Sequence, residues 1–297
     1  MPETSLPEFI GQQTALKEFA TITSTQSQAH IKPLHRYLAM RLVLEGGFHP
    51  DEITPHPPLT VKQSGKRNLL VFDPTLEDSG EQTLLGGLKS KVVDVVVAKP
   101  GVGPVIAISV KGTIGAFRNL TNRMEEAIGD SANVHIMYPG LVYGFLHLLK
   151  GNDARKAQLK PNDAAIKSNG SVVPSIHRYH DVLIGLSGRK FIRDDVSRYE
   201  AVGLGLVNSH DNPGLLHDDF PSGESPLHLN RFFANLLTTY DLRFPYVAAS
   251  VGILKRMIWD TASPALVTLK STDRYKLLLG YEPREGDAEE NLEDNSE

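Results

Sequence analysis

Two segments near the start of the chain carry apolar residues at intervals of three and four positions. They are IGQQTALKEFATI and LHRYLAMRLVLE, within residues 1–46, and this spacing is typical of amphipathic helices. The stretch HPDEITPHPPLT follows and predicts a loop, because proline cannot continue a helix. Residues 68–72, NLLVF, predict a short strand. We therefore expect a helical N-terminal part, residues 1–60, ahead of the first strands.

The longest regular pattern lies in residues 91–150, which predict the order strand, turn, strand, helix, strand, helix. Four more elements follow from the same criteria: strands at 182–186 and 201–207, and helices at 227–240 and 246–259. The chain has no internal repeat, and strands alternate with helices without a clean boundary. This alternation favours one α/β or α+β domain over residues 1–281.

The composition is that of a soluble globular protein and excludes several kinds of chemistry. The 297 residues are 40% hydrophobic and 22% charged, and no apolar run approaches the roughly 20 residues of a membrane-spanning helix. The N-terminus lacks the basic and apolar parts of a secretory signal, so we expect a cytoplasmic protein without membrane contact. The chain contains no cysteine, which excludes disulfides, cysteine-ligated zinc, iron–sulfur clusters and thiol nucleophiles.

The net charge is distributed unevenly along the chain. The formal net charge is −4, and residues 282–297 alone contribute −7, from eight acidic residues and one arginine. Residues 1–281 therefore carry +3. We expect the C-terminal segment, residues 282–297, to be a disordered acidic tail. The mildly basic remainder is compatible with nucleic-acid binding but is too weakly charged to indicate it.

Candidate chemistry begins in KVVDVVVAKPGVGPVIAISVKG, residues 91–112. Two β-branched runs flank a turn rich in proline and glycine, which predicts a β-hairpin. If Ala98 pairs with Val105, Asp94 lies opposite Ser109, and Lys111 follows on the same face of the strand as Ser109. A carboxylate and an ammonium among valines lose hydration unless they pair or bind a metal. The hairpin alone leaves both possibilities open.

The helix predicted at residues 116–129 supplies further charged groups. Its apolar positions form one stripe that would pack on the sheet: Phe117, Leu120, Met124, Ala127 and Ile128. At 100° per residue, Glu125 lies closer to this stripe than Glu126. We therefore expect Glu125 to point toward the hairpin and Glu126 to face solvent. Arg118 precedes Glu125 by two turns on nearly the same bearing.

These residues resemble the PD-(D/E)xK nucleases, in which an aspartate on one strand precedes a lysine on the next. The second acid of that pattern usually stands two residues before the lysine, where this chain has Ser109. SVKGTIGAFRNLTNRMEE is similar to a stretch of the CCGG-recognising type II restriction endonucleases. Those enzymes have Ser-x-Lys on the strand and an acid fourteen residues later on the helix, which is Glu125 here. The shared residues are Ser109, Lys111, Thr113, Ile114, Arg118, Arg123 and Glu125.

The resemblance implies a restriction-endonuclease-like α/β (α+β) fold, with a mixed central sheet flanked by helices and a catalytic core in residues 65–150. It also implies Mg²⁺-dependent hydrolysis of phosphodiester bonds at specific sites in double-stranded DNA, leaving 5′-phosphates, by a homodimer or a larger homo-oligomer. Asp94 and Glu125 would bind Mg²⁺, and Lys111 would stabilise transition-state charge or help to orient the attacking water. Ser109 would support them by hydrogen bonding or by a water-mediated contact with the metal. Gly115 and Phe117 replace residues with which that group reads bases, so its DNA site is not expected here.

Several residues are candidate DNA contacts. The resemblance indicates Thr113, Arg118 and Arg123, and the densest basic stretch adds Arg189, Lys190 and Arg193, for which a solvated charged face is the other interpretation. Two other functions stay open. One is a DNA-binding protein that keeps the nuclease fold without cutting, which Ser109 favours. The other is a nuclease of the same superfamily that requires modified bases or branched DNA.

Overall fold

The computed structural model describes residues 9–23, 29–78, 80–115, 120–155, 158–159, 162–244 and 249–286. The α-helices in these ranges are α1 (Gln12–Thr21), α2 (Lys32–Leu44), α3 (Leu120–Met137), α4 (Pro174–Gly185), α5 (Leu229–Arg243), α6 (Pro264–Lys270) and α7 (Tyr275–Leu279). The strands are β1 (Ile53–Thr54), β2 (Leu59–Ser64), β3 (Arg67–Phe72), β4 (Gln82–Leu84), β5 (Lys91–Val93), β6 (Val95–Lys99), β7 (Gly103–Thr113), β8 (Val142–Asp153), β9 (Ala165–Ile166), β10 (Ala201–Asn208), β11 (Trp259–Asp260) and β12 (Glu285–Gly286). Across these ranges, no helix has the length and hydropathy needed to cross a bilayer.

A mixed sheet of six strands forms the centre of the protein. The strand order is β1-β6-β7-β8-β10, and β9 pairs with the end of β8. The pairs β1/β6 and β6/β7 are antiparallel, whereas β7/β8 and β8/β10 are parallel. Residues of α1, α2 and α5 pack on one face of the sheet, and residues of α3 and α4 pack on the other. The predicted α/β (α+β) fold with a mixed central sheet flanked by helices is confirmed.

The predicted hairpin is formed by β6 and β7. Three pairs have the predicted register: Val95 with Ile108, Val96 with Ala107, and Val97 with Ile106. An irregularity then shifts the register by one residue, so that Ala98 faces Pro104 and not Val105. The turn contains Gly101 and Gly103 at positive φ, a conformation that glycine adopts without steric cost. The shift lies toward the turn; at the other end of the hairpin the ladder stops at Val95 and Ile108, and Asp94 directly precedes it.

The chain crosses from β7 through α3 to the parallel strand β8. The order strand, turn, strand, helix, strand predicted within residues 91–150 is confirmed, but the final helix is absent because residues 142–153 form β8. This strand pairs with β7 on one side and β10 on the other. A central parallel strand is buried on both faces and reads as a continuous apolar run without period-two alternation, so its pattern resembles that of a buried helix.

Other predicted elements have mixed outcomes. The strands at 68–72 and 201–207 and the helix at 227–240 are confirmed as β3, β10 and α5. The strand predicted at 182–186 is wrong, because residues 182–185 continue α4, whose buried residues Ile176, Tyr179 and Leu183 have helical spacing. The helix predicted at 246–259 is also wrong where the chain is described: a 3₁₀ helix covers Ala249–Leu254, and Trp259 begins β11.

The two ends of the chain refine the predicted boundaries. Helices within residues 1–46 are confirmed as α1 and α2, but β1 lies within residues 1–60 and β2 begins there. The expectation of disorder from residue 282 is wrong for residues 282–286. Here Arg284 N donates to Leu44 O at 2.7 Å, and Glu285 pairs with Trp259 in the β11/β12 ladder. These backbone bonds hold the segment against the end of α2. Residues 287–297 lie outside the described residues.

Candidate metal centre

Asp94 lies at the bend between β5 and β6, beside the strand that contains Lys111. Its Oδ2 accepts a hydrogen bond from Val110 N at 2.7 Å, and its side chain is 18% exposed. Burial raises the pKa of the Asp94 carboxyl, while the Val110 amide and the Lys111 ammonium act in the opposite direction. The hairpin therefore anchors one carboxylate oxygen and leaves Oδ1 for another partner.

Two residues that the sequence analysis missed lie close to Asp94. They are His35 on α2 and Glu81, which directly precedes β4. One potential ligand atom from each of the three residues lies within 4.8 Å of the other two. His35 Nε2 is 3.5 Å from Asp94 Oδ1. An imidazole and two carboxylates at this spacing form a potential ligand set for one divalent cation.

His35 is buried, and its ring nitrogen is unsatisfied. The residue is 4% exposed, and Nε2 has no hydrogen-bond partner among the described residues. Burial lowers the pKa of His35 to about 4; Glu81 opposes this change, and Lys32 and Lys111 reinforce it. The ring is therefore neutral near pH 7, and a neutral imidazole is the form that ligates metals.

A cleft borders this group at His35. It has a volume of about 400 Å³ and is bordered by residues of α1 and α2 and by Glu77 and Asp78. His35 is one of its lining residues, and Glu81 is exposed. The group therefore meets solvent at Glu81 and borders the cleft at His35, although the His35 side chain itself is buried.

Lys111 on β7 directly follows Val110, whose amide binds Asp94. It is half-buried, and its positive charge lowers the pKa of Asp94, His35 and His147. It also lines a small cleft on the α3 side of the sheet, together with Arg123 and Asp130. The predicted proximity of Asp94 and Lys111 thus agrees with the structure.

Glu125 is not where it was predicted. Both Glu125 and Glu126 are exposed, but it is Glu126 that lines the cleft beside Lys111. The expectation that Glu125 points toward the hairpin is therefore wrong, whereas Glu126 is exposed as expected and also borders this cleft. The buried face of α3 includes the polar residues Asp130 and Ser131 and leaves Ile128 39% exposed. At 100° per residue, this rotates the buried face by about 50° toward Glu126.

Ser109 is hydrogen-bonded inside the core, and its supporting role at the site stays a prediction. It is buried, and its hydroxyl hydrogen-bonds to the Tyr143 hydroxyl at 2.8 Å. Tyr143 N in turn donates to Glu200 Oε2 at 2.7 Å. The hydroxyl of Ser109 is therefore engaged by Tyr143 in the core formed with β8.

Two of the predicted DNA contacts are buried, and their prediction is wrong. The Thr113 hydroxyl hydrogen-bonds to His147 Nε2 at 3.0 Å. The Arg189 side chain is 0% exposed and binds Glu200 Oε1 at 2.5 Å, and it also donates to the carbonyls of Pro139 and Ile192. The Arg189 guanidinium is paired with Glu200 inside the core, so it cannot contact a DNA phosphate at the protein surface.

The other predicted DNA contacts are either exposed or undescribed. Arg123, Lys190 and Arg193 are exposed, as phosphate contacts require. Arg118 lies outside the described residues. DNA binding by these four residues stays a prediction.

His147 and Glu200 organise the core behind the hairpin. His147 stands beside Lys111 in the β7/β8 register, and its Nδ1 is hydrogen-bonded to the Tyr179 hydroxyl. Glu200 also binds Arg243 at 2.6 Å and His135 at 3.2 Å. The β7/β8 scaffold that supports Lys111 therefore contains two buried polar networks.

No local spacing could have identified His35 and Glu81. His35 interrupts the apolar run of α2, and a histidine in such a position is most often a core residue. Glu81 stands alone, thirteen positions before Asp94. Comparison of the chain with models of protein families, with curated proteins and with solved structures finds no match in any of the three. The candidate function is therefore inferred from the residues of this centre.

Proposed function

We propose that this protein is a divalent-metal-dependent deoxyribonuclease of the type II restriction kind, which hydrolyses phosphodiester bonds at specific sites in double-stranded DNA. The observation that supports the proposal is the convergence of His35, Glu81 and Asp94 within 4.8 Å, together with the positive charge of Lys111, which acts on both Asp94 and His35. A cation site and a fixed positive charge together can stabilise the negative charge that develops during phosphodiester hydrolysis.

Each residue has a distinct role in the proposed reaction. Water attacks phosphorus, the P–O3′ bond breaks, and the products carry a 5′-phosphate and a 3′-hydroxyl. Lys111 stabilises the negative charge that accumulates on the phosphoryl oxygens in the transition state. Asp94, held by the Val110 amide, binds the cation together with Glu81 and His35. Bound there, a divalent cation such as Mg²⁺ supplies Lewis-acid polarisation of the phosphate and a more acidic water.

In this proposal Glu81 replaces the acid that β7 lacks. The residue two positions before Lys111 is Ser109, whose hydroxyl is engaged by Tyr143. Glu125, the acid expected from the resemblance, does not belong to the group of close ligand atoms, whereas Glu81 does. The second carboxylate therefore comes from the segment before β4 and not from α3.

The matched pair Glu81→Gln and Glu125→Gln tests this assignment. Supercoiled plasmid and a long sequenced DNA are incubated with purified protein and either Mg²⁺ or Mn²⁺, and the ends are sequenced. We expect discrete fragments with 5′-phosphates. Glu81→Gln and Lys111→Ala should lower the cleavage rate by about 100-fold or more, and Glu125→Gln by less than about threefold.

Other outcomes assign the protein differently. Loss of cleavage in Glu125→Gln with retention in Glu81→Gln would restore the assignment made from the resemblance. Smeared products, or cleavage only of modified or branched DNA, would indicate a nuclease with another substrate. Intact DNA in every reaction, with a mobility shift that persists without divalent cation, would indicate a DNA-binding protein that does not cut.

We also propose that the protein acts as a cytoplasmic homodimer. Cleavage of both strands of a duplex requires two active sites, and a two-fold dimer matches a palindromic site. Sedimentation equilibrium with and without a cleaved DNA fragment measures this. A monomer in both conditions would contradict the proposal.

A further inference from the structure

We infer that the centre formed by His35, Glu81 and Asp94 binds a first-row transition-metal ion in preference to Mg²⁺. The inference deepens the proposed function, because it names the ion of the same site, and it rests on that function for the role of the ion. Ion binding can be measured without DNA, so the two proposals can fail separately.

The first argument is the unsatisfied nitrogen of His35. Buried side-chain nitrogens nearly always have a hydrogen-bond partner, yet His35 Nε2 has none among the described residues. This atom points toward the carboxylate of Asp94, at 3.5 Å from Oδ1. A cation between the imidazole and the carboxylates would satisfy the nitrogen and both acids together.

The second argument is the arrangement of the donors. Donors that share one ion at about 2.0–2.3 Å are separated by up to about 4.6 Å, and the three atoms here lie within 4.8 Å of one another. The donors come from α2, from the segment before β4 and from the β5/β6 bend. Three separately positioned donors leave further coordination positions for water or a phosphate oxygen.

The third argument is the type of donor. Mg²⁺ selects oxygen ligands and retains several waters, whereas imidazole suits first-row transition metals, whose affinities rise from Mn²⁺ toward Co²⁺ and beyond. Two carboxylates alone would serve Mg²⁺ well. The added imidazole therefore shifts the preference, and we expect the affinity order Mg²⁺, then Mn²⁺, then Co²⁺ as the tightest.

Isothermal titration calorimetry of the metal-free full-length protein tests the inference, with Mg²⁺, Mn²⁺ and Co²⁺ as separate titrants. We expect one site per chain, with Co²⁺ bound at least ten times more tightly than Mg²⁺. The visible absorption of Co²⁺ gives a second readout, because replacement of water by an imidazole nitrogen changes its spectrum. His35→Asn should lower the Co²⁺ affinity at least tenfold and the Mg²⁺ affinity by less than threefold.

Two controls separate the imidazole from the site as a whole. Glu81→Gln should weaken both ions to a similar extent, because it removes an oxygen ligand that both ions use. His56→Gln replaces a partly buried histidine that binds Asp51 and is outside the centre, and it should leave all affinities unchanged. Circular dichroism of each metal-free variant verifies that it folds.

Equal affinity of the wild-type protein for Mg²⁺ and Co²⁺ would overturn the inference, as would the absence of binding of either ion at millimolar concentration. Since this comparison uses the unaltered chain, it decides the question even if His35→Asn does not fold. Selective Co²⁺ binding without DNA cleavage would support the metal centre and contradict the nuclease. DNA cleavage by a protein that binds Mg²⁺ and Co²⁺ equally would support the nuclease and contradict the inferred ion preference.

Discussion

The free energy of unfolding should fall between pH 7 and pH 5, and His147 should account for about 2 kcal/mol of this fall. Replacing His147 with glutamine should remove that part of the pH dependence. The imidazole is 1% exposed and is hydrogen-bonded to the hydroxyls of Thr113 and Tyr179. Burial lowers the pKa of His147 from 6.5 to about 3, and the charges of Arg123 and Lys111 reinforce the change. The folded protein therefore keeps this ring neutral at pH values where the unfolded chain protonates it.

The sign and size of the effect follow from proton linkage. Below its unfolded pKa of 6.5, His147 binds a proton in the unfolded chain but not in the folded protein. The free energy of unfolding therefore falls by about 1.4 kcal/mol per pH unit between the two pKa values. The stabilising contribution is intact above pH 6.5 and is lost progressively toward pH 3. Because the loss begins gradually around pH 6.5, it amounts to about 2 kcal/mol from pH 7 to pH 5.

Guanidinium chloride unfolding at pH 7, 6 and 5 measures this quantity. Glutamine keeps a donor and an acceptor, so its altered packing should lower the free energy of unfolding by a similar amount at each pH. His210→Gln, at an exposed position, serves as the control and should keep the wild-type pH dependence. If His147→Gln also keeps that dependence, the argument that the fold excludes the imidazolium form is refuted.

Two further predictions concern the scaffold of the hairpin. Glu200→Gln should lower the free energy of unfolding by about 3–5 kcal/mol, because Arg189 and Arg243 would stay buried without their shared carboxylate. Chemical denaturation measures this free energy, and a loss below about 1 kcal/mol would contradict the prediction. Gly112→Ala should cost about 1–3 kcal/mol, because a Cβ there would lie 2.6 Å from Phe19 Cε2, whereas Gly115→Ala meets nothing within 4 Å. Equal melting temperatures of these two variants would contradict the prediction and show that Phe19 on α1 moves to accommodate the added methyl group.

Short-range patterns were sufficient for the hairpin. Its two strands are neighbours in sequence, the turn between them is short, and side chains alternate with a period of two. The register at Val95 and the placement of Asp94 near Lys111 were therefore predictable. The α/β (α+β) class was predictable for a similar reason, since it requires only the order of the elements.

Predictions made from apolar residues were wrong where the protein buries polar side chains. The orientation of α3 was predicted from apolar positions only, but the protein also buries Asp130, which pairs with Lys91, and Ser131, which hydrogen-bonds to backbone carbonyls. These polar partners rotate the helix and separate Glu125 from the hairpin. Arg189 was misjudged for the same reason, because its charge is matched by a glutamate that only the fold brings to it.

The sequence by itself determined the α/β (α+β) class and the β6/β7 hairpin, because the order of the elements and a period of two along neighbouring strands specify them. Only the tertiary structure decided which residues share a site with Asp94. His35 lies 59 positions before Asp94 and Glu81 lies 13 positions before it, on elements that meet only when α2 packs on the sheet. A ligand set is defined by distances of a few ångströms between side chains, and spacing along the chain does not encode such distances once several elements contribute.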